Sequence, residues 1–380
     1  MSRSPSAPQR TIPPARPHFS PESQERLHAR LDAILNGWLS RGPLAEEFEC
    51  RFAEYVGVKH GIAMSSGSAA LLAALSYFDL RGGEVVIPTM TCFSCAGAVI
   101  LAGGVPRLVN VDPDTMCIDF QDTLANVEPQ TRGILIVHLA GQIVPDIDKF
   151  RALCRERSLF LLEDAAHATG ASVHGRNAGS LADVACFSFR PTKIITTGEG
   201  GMVTTHDDEL ADFCVQFRDG GRSRDGDTYS MAGLNTTMDE LSAALGLEQL
   251  AELDGFVLRR NEIVERYRRL LREIPGVDLL PLSEGSRSSY WKVYARLPAE
   301  IDRDALAQRM LEEHGIDVRP AYRPLLHRQP GLARYVSDPS RLAPSERAMS
   351  SLVCLPIFLT ISEEAMERAV DALGRCLQEA

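Results

Sequence analysis

The sequence has little that would suit a membrane or a nucleic-acid surface. Its 380 residues contain no apolar run near the roughly eighteen residues that a membrane-spanning helix needs. Positive charge is also scarce, because 40 Lys and Arg face 51 Asp and Glu, and the net charge is −11. Such a balance disfavours binding along a phosphate backbone. We therefore expect neither a membrane nor a nucleic acid as a partner.

A disulfide framework is absent as well. The nine cysteines are odd in number and scattered along the chain, which is typical of a protein in a reducing cytoplasm. Cys92 and Cys95 form a CxxC pair, but no second pair accompanies it. The pattern favours two small buried residues over a zinc or redox site. We expect no metal.

Residues 1–17 are rich in Pro, Ser and Arg and lack an apolar segment, so they predict a mobile tail and not a secretory signal. Beyond residue 57, apolar strands alternate with helices, which is typical of a mostly parallel sheet covered by helices. We expect an α/β fold with a large domain at 18–255 and a smaller α+β domain at 256–380. The predicted strands of the large domain are 61–64, 84–88, 106–111, 132–140, 159–164, 184–189 and 200–205.

The stretch "SSGS" at 65–68 lies between a predicted strand and a predicted helix. Free backbone N–H groups at a helix N-terminus attract anions, and Gly67 would let the backbone approach a phosphate closely. Ser and Gly are also ordinary helix caps, and alone this stretch favours that simpler interpretation.

The stretch "LFLLEDAAHATGA" places Asp164 at the end of an apolar strand and His167 three residues later. Ligands of open α/β sheets bind at the carboxyl ends of the strands, so Asp164 could meet a cationic ring nitrogen. The alternative is a helix N-cap.

The stretch "FSFRPTKIITTGEGG" places Ser188 at a strand end, Lys193 five residues later and a glycine-rich turn beyond. A lysine that attacks a carbonyl needs a desolvated pocket, because its ammonium must first lose a proton. The alternative is a routine lysine in a surface loop. Together, however, the three stretches supply a phosphate cradle, a partner for a pyridinium nitrogen and an aldehyde-binding amine, in the order expected for pyridoxal 5′-phosphate (PLP).

With these motifs the sequence resembles the DegT/StrS-type sugar aminotransferases, which are fold-type I PLP-dependent enzymes. The likeness runs from about Pro17 to Leu373. Besides the three stretches, it includes "NGWLSRGPLAEEFECRFAEYVGVKHGIAM", "VNVDPDTMCID", "VHLAGQ", "RDGGRS", "LNTTMDELSAALGLEQL" and "CLPIFLTISEEAMERAV".

The resemblance implies a role for each matching residue. Lys193 would be the Schiff-base lysine and proton carrier, and Asp164 would hold the pyridine nitrogen protonated. His167 would lie against the ring or its phenolic oxygen. The phosphate would be bound by Gly67, Ser68, Ser188 and, from the neighbouring subunit of a homodimer, Asn235.

Three positions depart from the family pattern. An aromatic residue usually covers the exposed face of the ring at the position of Cys92, whereas here Phe93 follows one place later. Either Phe93 stacks on the ring, or Cys92 covers it and another side chain completes the lid. Arg190 stands where the family more often has His or Tyr, and Gly220 stands where it more often has His. Both changes affect the substrate pocket and leave the cofactor-binding residues intact.

Because Lys193 is present, where dehydratases of the family have His, the resemblance implies transamination. Glutamate would donate the amino group, and a keto sugar, usually nucleotide-linked, or a keto cyclitol would accept it. The alternatives are a PLP enzyme of another reaction type, such as a lyase, an elimination enzyme or an aminoaromatic synthase, and a non-catalytic binding protein. A nucleotide diphosphate would need cationic partners; the candidates are Arg190, Arg218, Arg222, Arg224, Arg319 and Arg323.

Overall fold

The computed structural model describes residues 11–320 and 322–378. The α-helices within these residues are α1 (Pro21–Leu35), α2 (Pro43–Val56), α3 (Gly67–Tyr77), α4 (Phe93–Leu101), α5 (Phe120–Ala125), α6 (Ile147–Arg157), α7 (Asp208–Phe217), α8 (Glu240–Leu271), α9 (Arg303–His314), α10 (Ala343–Ser350) and α11 (Glu363–Gln378). The strands are β1 (His60–Met64), β2 (Glu84–Pro88), β3 (Val105–Val109), β4 (Thr131–Val137), β5 (Phe160–Asp164), β6 (Ser172–Val173), β7 (Arg176–Asn177), β8 (Val184–Ser188), β9 (Gly201–Thr205), β10 (Asp278–Leu279), β11 (Ser286–Arg287), β12 (Val293–Arg296) and β13 (Leu352–Leu355).

The seven predicted strands form one central sheet in the order β1-β9-β8-β5-β4-β2-β3. Only β9 runs against its neighbours, and it pairs antiparallel with both β1 and β8. The predicted α/β fold with a mostly parallel seven-stranded sheet is therefore confirmed. The strands are largely apolar because helices cover the sheet on both faces, with a separate apolar cluster on each.

Helix α3 begins very close to the end of β8. A Cβ atom on Gly67 would lie 2.7 Å from Cβ of Ser188. On the adjoining strand, a Cβ atom on Gly201 would lie 2.4 Å from the carbonyl oxygen of Ser66. Glycine at these two positions therefore brings the N-terminus of α3 onto the carboxyl end of β8, where a ligand of the sheet would bind.

The later part of the chain builds a smaller antiparallel sheet, β10-β12-β13, which packs with α9, α11 and the end of α8 around its own apolar cluster. Helix α8 passes without a break through the predicted boundary between residues 255 and 256. Its Val257 still packs beneath the central sheet, whereas Ile263 belongs to the smaller cluster. The division at 255/256 stays a prediction, and one continuous helix spans it.

Of the predicted tail, residues 1–10 lie outside the described residues. Further along, Ile12 is buried and its N–H donates to the carbonyl oxygen of Gly315 at 3.1 Å. One apolar side chain thus ties this segment to the smaller cluster, where a free tail was expected. Elsewhere in the described chain, no helix combines the length and the apolar character required to cross a bilayer.

Candidate active site

A cavity of about 360 Å³ lies at the carboxyl ends of β5 and β8. It gathers six of the predicted site residues, namely Gly67, Ser68, Asp164, His167, Ser188 and Lys193. It also takes in Cys92, Arg190, Trp291 and Tyr322. The three stretches, in which Gly67 and Lys193 are 126 positions apart, therefore meet at one edge of the sheet, as expected for strands that end side by side.

One end of the cavity is the first turn of α3. The hydroxyl of Ser66 caps the helix by accepting from the N–H of Ala69 at 3.1 Å. The N–H groups of Gly67 and Ser68 have no acceptor within the helix, because the first N–H groups of any helix lie ahead of its hydrogen-bond ladder. Ser188 faces this turn from β8. Capping and anion binding are therefore compatible here, since different groups serve each.

Asp164 is the last residue of β5 and is 5% exposed. One carboxylate oxygen accepts from the N–H of Ala166 at 3.0 Å, and the other accepts from the thiol of Cys95 at 3.0 Å. These two donors lie on different elements, the chain just after β5 and helix α4. They fix the plane of the carboxylate while it faces the cavity.

The preceding residue, Glu163, is also fully buried but has a structural role. Its carboxylate accepts from the N–H groups of Gly179, Leu181 and Ala182 at 2.7–2.9 Å and lies 2.7 Å from Nε2 of His138. Because successive side chains of a strand point to opposite faces, Glu163 orders the turn before β8 while Asp164 faces the ligand. The two acids of "LED" thus divide into a scaffold residue and a site residue.

Lys193 lies in the loop after β8. Its amine is 4.5 Å from the centroid of the Trp291 ring and has no hydrogen-bond acceptor among the residues that the structure describes. Burial lowers the pKa of Lys193 to about 8, against a smaller opposing effect of the Asp164 charge. The chain therefore holds an amine that loses its proton far more easily than an exposed lysine, as a nucleophile toward a carbonyl requires.

Trp291 and Tyr322 form a side of the cavity that was not predicted from the sequence. The indole N–H of Trp291 donates to the carbonyl oxygen of Thr192 at 2.7 Å, next to Lys193. Its ring stacks on the His167 ring with centroids 3.8 Å apart, and the Tyr322 hydroxyl lies 2.6 Å from Nε2 of His167. The available signal was slight: Trp291 is one of only two tryptophans in the chain.

His167 is buried against these two rings, which also lie beside each other. Burial lowers the pKa of His167 well below its usual value, and the nearby charge of Lys193 adds to this. Its Nδ1 atom is buried and has no hydrogen-bond partner among residues 11–320 and 322–378. A neutral imidazole with one unused nitrogen at a cavity wall is suited to a ligand that completes its hydrogen bonds.

Two predicted cofactor residues lie elsewhere. Phe93 is 45% exposed, because as the first residue of α4 it points outside the cavity. Cys92 faces the cavity in its place, so the structure does not support stacking by Phe93 within this chain. Asn235 is exposed and is not part of the cavity wall; its side chain accepts from the Thr237 hydroxyl at 3.0 Å.

Of the six candidate arginines, Arg190 alone lines this cavity. It is exposed at the cavity mouth and lies 3.5 Å from Glu199. The other five are paired with carboxylates of their own surroundings: Arg218 with Glu49, Arg222 with Asp219, Arg224 with Asp212, Arg319 with Asp317 and Arg323 with Asp304.

The geometry agrees with the comparison with known proteins. The model of the DegT/DnrJ/EryC1/StrS aminotransferase family matches residues 21–374. The chain belongs to this family. The protein is a PLP-dependent aminotransferase, and the predicted family, enzyme class and cofactor are confirmed.

Individual relatives agree with this assignment. GDP-perosamine synthase of Caulobacter vibrioides is 35% identical over 355 residues, which cover 91% of this chain and 94% of that protein. The dTDP-4-dehydro-2,3,6-trideoxy-D-glucose 4-aminotransferase of Saccharopolyspora spinosa is 32% identical over 371 residues, covering 93% and 94%. The crystal structure of the aminotransferase TlmJ from Streptoalloteichus hindustanus superposes with a TM-score of 0.90 at 30% identity, covering 97% of this chain and 100% of that one.

The cavity fits PLP in three independent respects. The unpartnered amine of Lys193 suits the aldehyde, and the turn at Gly67, into which a side chain would not fit, suits the phosphate. The buried Nδ1 atom of His167 has no hydrogen-bond partner among the described residues, and a substituent of the PLP ring could supply one. These features lie on three different elements, so their convergence does not follow from any single local motif.

Proposed function

We propose that this aminotransferase moves an amino group from glutamate to the keto group of a nucleotide-linked sugar. The observation that carries the proposal is the placement of the unpaired, readily deprotonated Lys193 amine in one cavity with Asp164 and the N-terminus of α3. The relatives named GDP-perosamine synthase and dTDP-4-dehydro-2,3,6-trideoxy-D-glucose 4-aminotransferase support a keto sugar nucleotide as acceptor.

The residues would divide the work by position. Lys193 would hold the PLP aldehyde and move the proton at the substrate carbon, since its amine exchanges a proton near neutral pH. Asp164 would hold a proton on the pyridine nitrogen. The first turn of α3 at Gly67 and Ser68, together with Ser188 of β8, would bind the phosphate. His167 would contact the ring. When bound, PLP supplies an electron sink for the substrate carbon.

Arg190 would bind the substrate's diphosphate at the cavity mouth. Its present partner, Glu199, is exposed, and exposed ion pairs contribute little, about 0–1 kcal/mol. Exchange of that carboxylate for a doubly charged diphosphate would therefore cost little and add a stronger charge-assisted hydrogen bond.

The function is tested by following labelled nitrogen. The protein loaded with PLP is mixed with glutamate carrying an isotopic label in its amino group, and the visible spectrum of the bound cofactor is recorded. A GDP- or dTDP-linked 4-keto sugar is then added, and the product is analysed by mass spectrometry. We expect a change of spectrum with glutamate alone and labelled amino sugar after the second addition, as in a ping-pong reaction.

The chain offers a matched control for the lysine. Lys193 and Lys292 both lie over the Trp291 ring, with their amines 4.5 Å and 5.2 Å from its centroid. Of these two lysines, only Lys193 lines the cavity at the carboxyl ends of β5 and β8. We expect Lys193→Ala to lose turnover and Lys292→Ala to keep most of it. Unlabelled sugar with the wild type, or equal losses in both variants, would contradict the proposal.

We also propose a homodimer with shared sites. Large apolar residues are exposed in two segments, at Leu35, Trp38 and Leu39 and at Leu234 and Leu241; Trp38 is 67% exposed. The N–H of Glu240 donates to the carbonyl oxygen of Leu39 at 3.0 Å, which brings the two segments together. Apolar surface of this kind is typical of an interface, and Asn235 follows directly in sequence.

Complementation tests the shared site. Lys193→Ala and Asn235→Ala are each purified, mixed under mild dissociating conditions and allowed to reassociate. If Asn235 reaches the partner's phosphate, mixed dimers contain one intact site and regain activity that neither variant has alone. If Asn235 acts within its own subunit, or if light scattering finds a monomer, mixing restores nothing and the shared-site proposal is wrong.

A further inference from the structure

The thiol that contacts Asp164 lies in a chain of three polar groups. Cys95 is the third residue of α4 and is fully buried. Its sulfur lies 3.0 Å from a carboxylate oxygen of Asp164 and 3.2 Å from the hydroxyl of Thr91. These contacts link the start of α4 to the end of β5.

The direction of the hydrogen bonds follows from the proton count. An ionised carboxylate can only accept, so the single thiol proton of Cys95 must point to Asp164. The Thr91 hydroxyl must then donate to the sulfur. Burial raises the pKa of the Cys95 thiol well above its ordinary value, and the Asp164 charge adds to this, so the thiol keeps its proton.

Among the residues that the structure describes, Asp164 has one other donor, the N–H of Ala166 on the opposite carboxylate oxygen. That N–H alone would leave the carboxylate free to turn about its bond to Cβ. The thiol on the second oxygen removes that freedom, because it belongs to α4, which packs against the sheet, and not to the loop after β5.

We propose that Cys95 is a positioning residue, which holds the Asp164 carboxylate in the orientation that meets the pyridine nitrogen of PLP. This inference rests on the role proposed above for Asp164. It gives one half of the CxxC pair a task in the site without metal or disulfide chemistry, and Thr91 supports it from the far side.

The test compares Cys95→Ala and Cys95→Ser with the wild-type holoenzyme. The first measurement is the dissociation constant for PLP, from titration of the cofactor-free protein. We expect Cys95→Ala to raise it about tenfold, as for loss of one hydrogen bond to a charged group, and Cys95→Ser to stay within about threefold. The second is the pH titration of the bound cofactor's visible band, whose midpoint should move in the alanine variant and return toward wild type in the serine variant.

Cys214→Ala is the matched control, because Cys214 is equally buried but lies on α7 and is not part of the cavity. Both alanine variants should lose thermal stability through the space that they leave. Only Cys95→Ala should change PLP affinity and the spectral midpoint. Unchanged values in Cys95→Ala, or a serine variant as defective as the alanine variant, would overturn the inference. Failure of the proposed function is judged separately, on amino transfer by the wild type.

Discussion

The cavity has two walls of different construction. The strand-end wall consists of Gly67, Asp164, Ser188 and Lys193, which lie at or just beyond elements of the central sheet. The loop wall consists of Trp291 and Tyr322, which lie between elements of the later part of the chain. The first wall carries the groups that suit PLP chemistry, whereas the second is aromatic and places the Trp291 ring over the Lys193 amine.

The two walls also differ in how they are held. Asp164 pairs with Val137 of β4 and with Cys186 of β8, and Ser188 pairs with Gly201 of β9. Tyr322 has a φ angle of 64°, in the left-handed region that a bulky residue rarely adopts. Tyr290, which directly precedes Trp291, has a φ angle of 48°. Such backbone angles persist only where the surrounding structure holds them. We therefore expect mutations in the loop wall to reduce activity less sharply than mutations in the strand-end wall.

The largest expected effect falls on the strand-end wall. Asp164→Ala removes the buried carboxylate at the end of β5, whose charge acts on the Lys193 amine in the same cavity. We expect kcat/KM to fall roughly thousandfold with PLP saturating, comparable to loss of a main electrostatic group in other enzymes. Steady-state kinetics measures it. A loss below tenfold would mean that the pyridine nitrogen has another partner.

A bulkier residue at the phosphate turn should have the next largest effect. In Gly67→Val the new Cβ atom would lie 2.7 Å from that of Ser188, so α3 must retreat from β8. We expect the dissociation constant for PLP to rise about a hundredfold through displaced N–H groups. In the control Gly97→Ala, the new Cβ atom lies 3.7 Å from the Phe93 ring, and PLP affinity should not change. Equal affinities in both variants would place the phosphate elsewhere.

The loop wall should show an intermediate effect. Trp291→Ala removes the ring that stacks on His167 and covers the Lys193 amine. We expect a loss of about tenfold in kcat/KM, because the catalytic groups remain but are less well fixed. Trp291→Phe keeps an aromatic face and should lose only about threefold. If the alanine variant matched Asp164→Ala, the distinction between the two walls would fail.

The smallest expected effect is a shift in the pKa of Lys193, a residue of the strand-end wall, when the loop wall is changed. In the cofactor-free protein, labelling of Lys193 by an amine-reactive reagent should increase with a midpoint near the lowered pKa of about 8. The amine is protonated below this pH and reactive above it. Trp291→Ala admits water, so the midpoint should move upward, toward the ordinary value for lysine. Peptide mass spectrometry from about pH 6 to pH 10 measures it. An unchanged midpoint would show that burial does not come from the loop wall.

The strand-end wall could be predicted because its residues stand in fixed relation to apolar strands. Asp164 ends a strand of five buried residues, and Lys193 follows a second such strand, so adjacency in the sheet brings them together. Phe93 could not be placed in the same way, because helix phase and not spacing decides which of Cys92 and Phe93 faces the cavity. A shift of one residue around a helix start turns a side chain by about 100°.

The sequence by itself determined the fold class, the family and the chemistry of the site, because buried strands and strand-end motifs leave a local pattern. Only the tertiary structure decided that Trp291 and Tyr322 close the cavity, that Cys95 contacts Asp164, and that five of six candidate arginines are engaged elsewhere. The physical reason is that the cavity contacts join residues far apart in sequence, since Cys95 lies 69 positions before Asp164 and His167 lies 155 positions before Tyr322. Packing of the whole chain, and no local periodicity, brings such residues together.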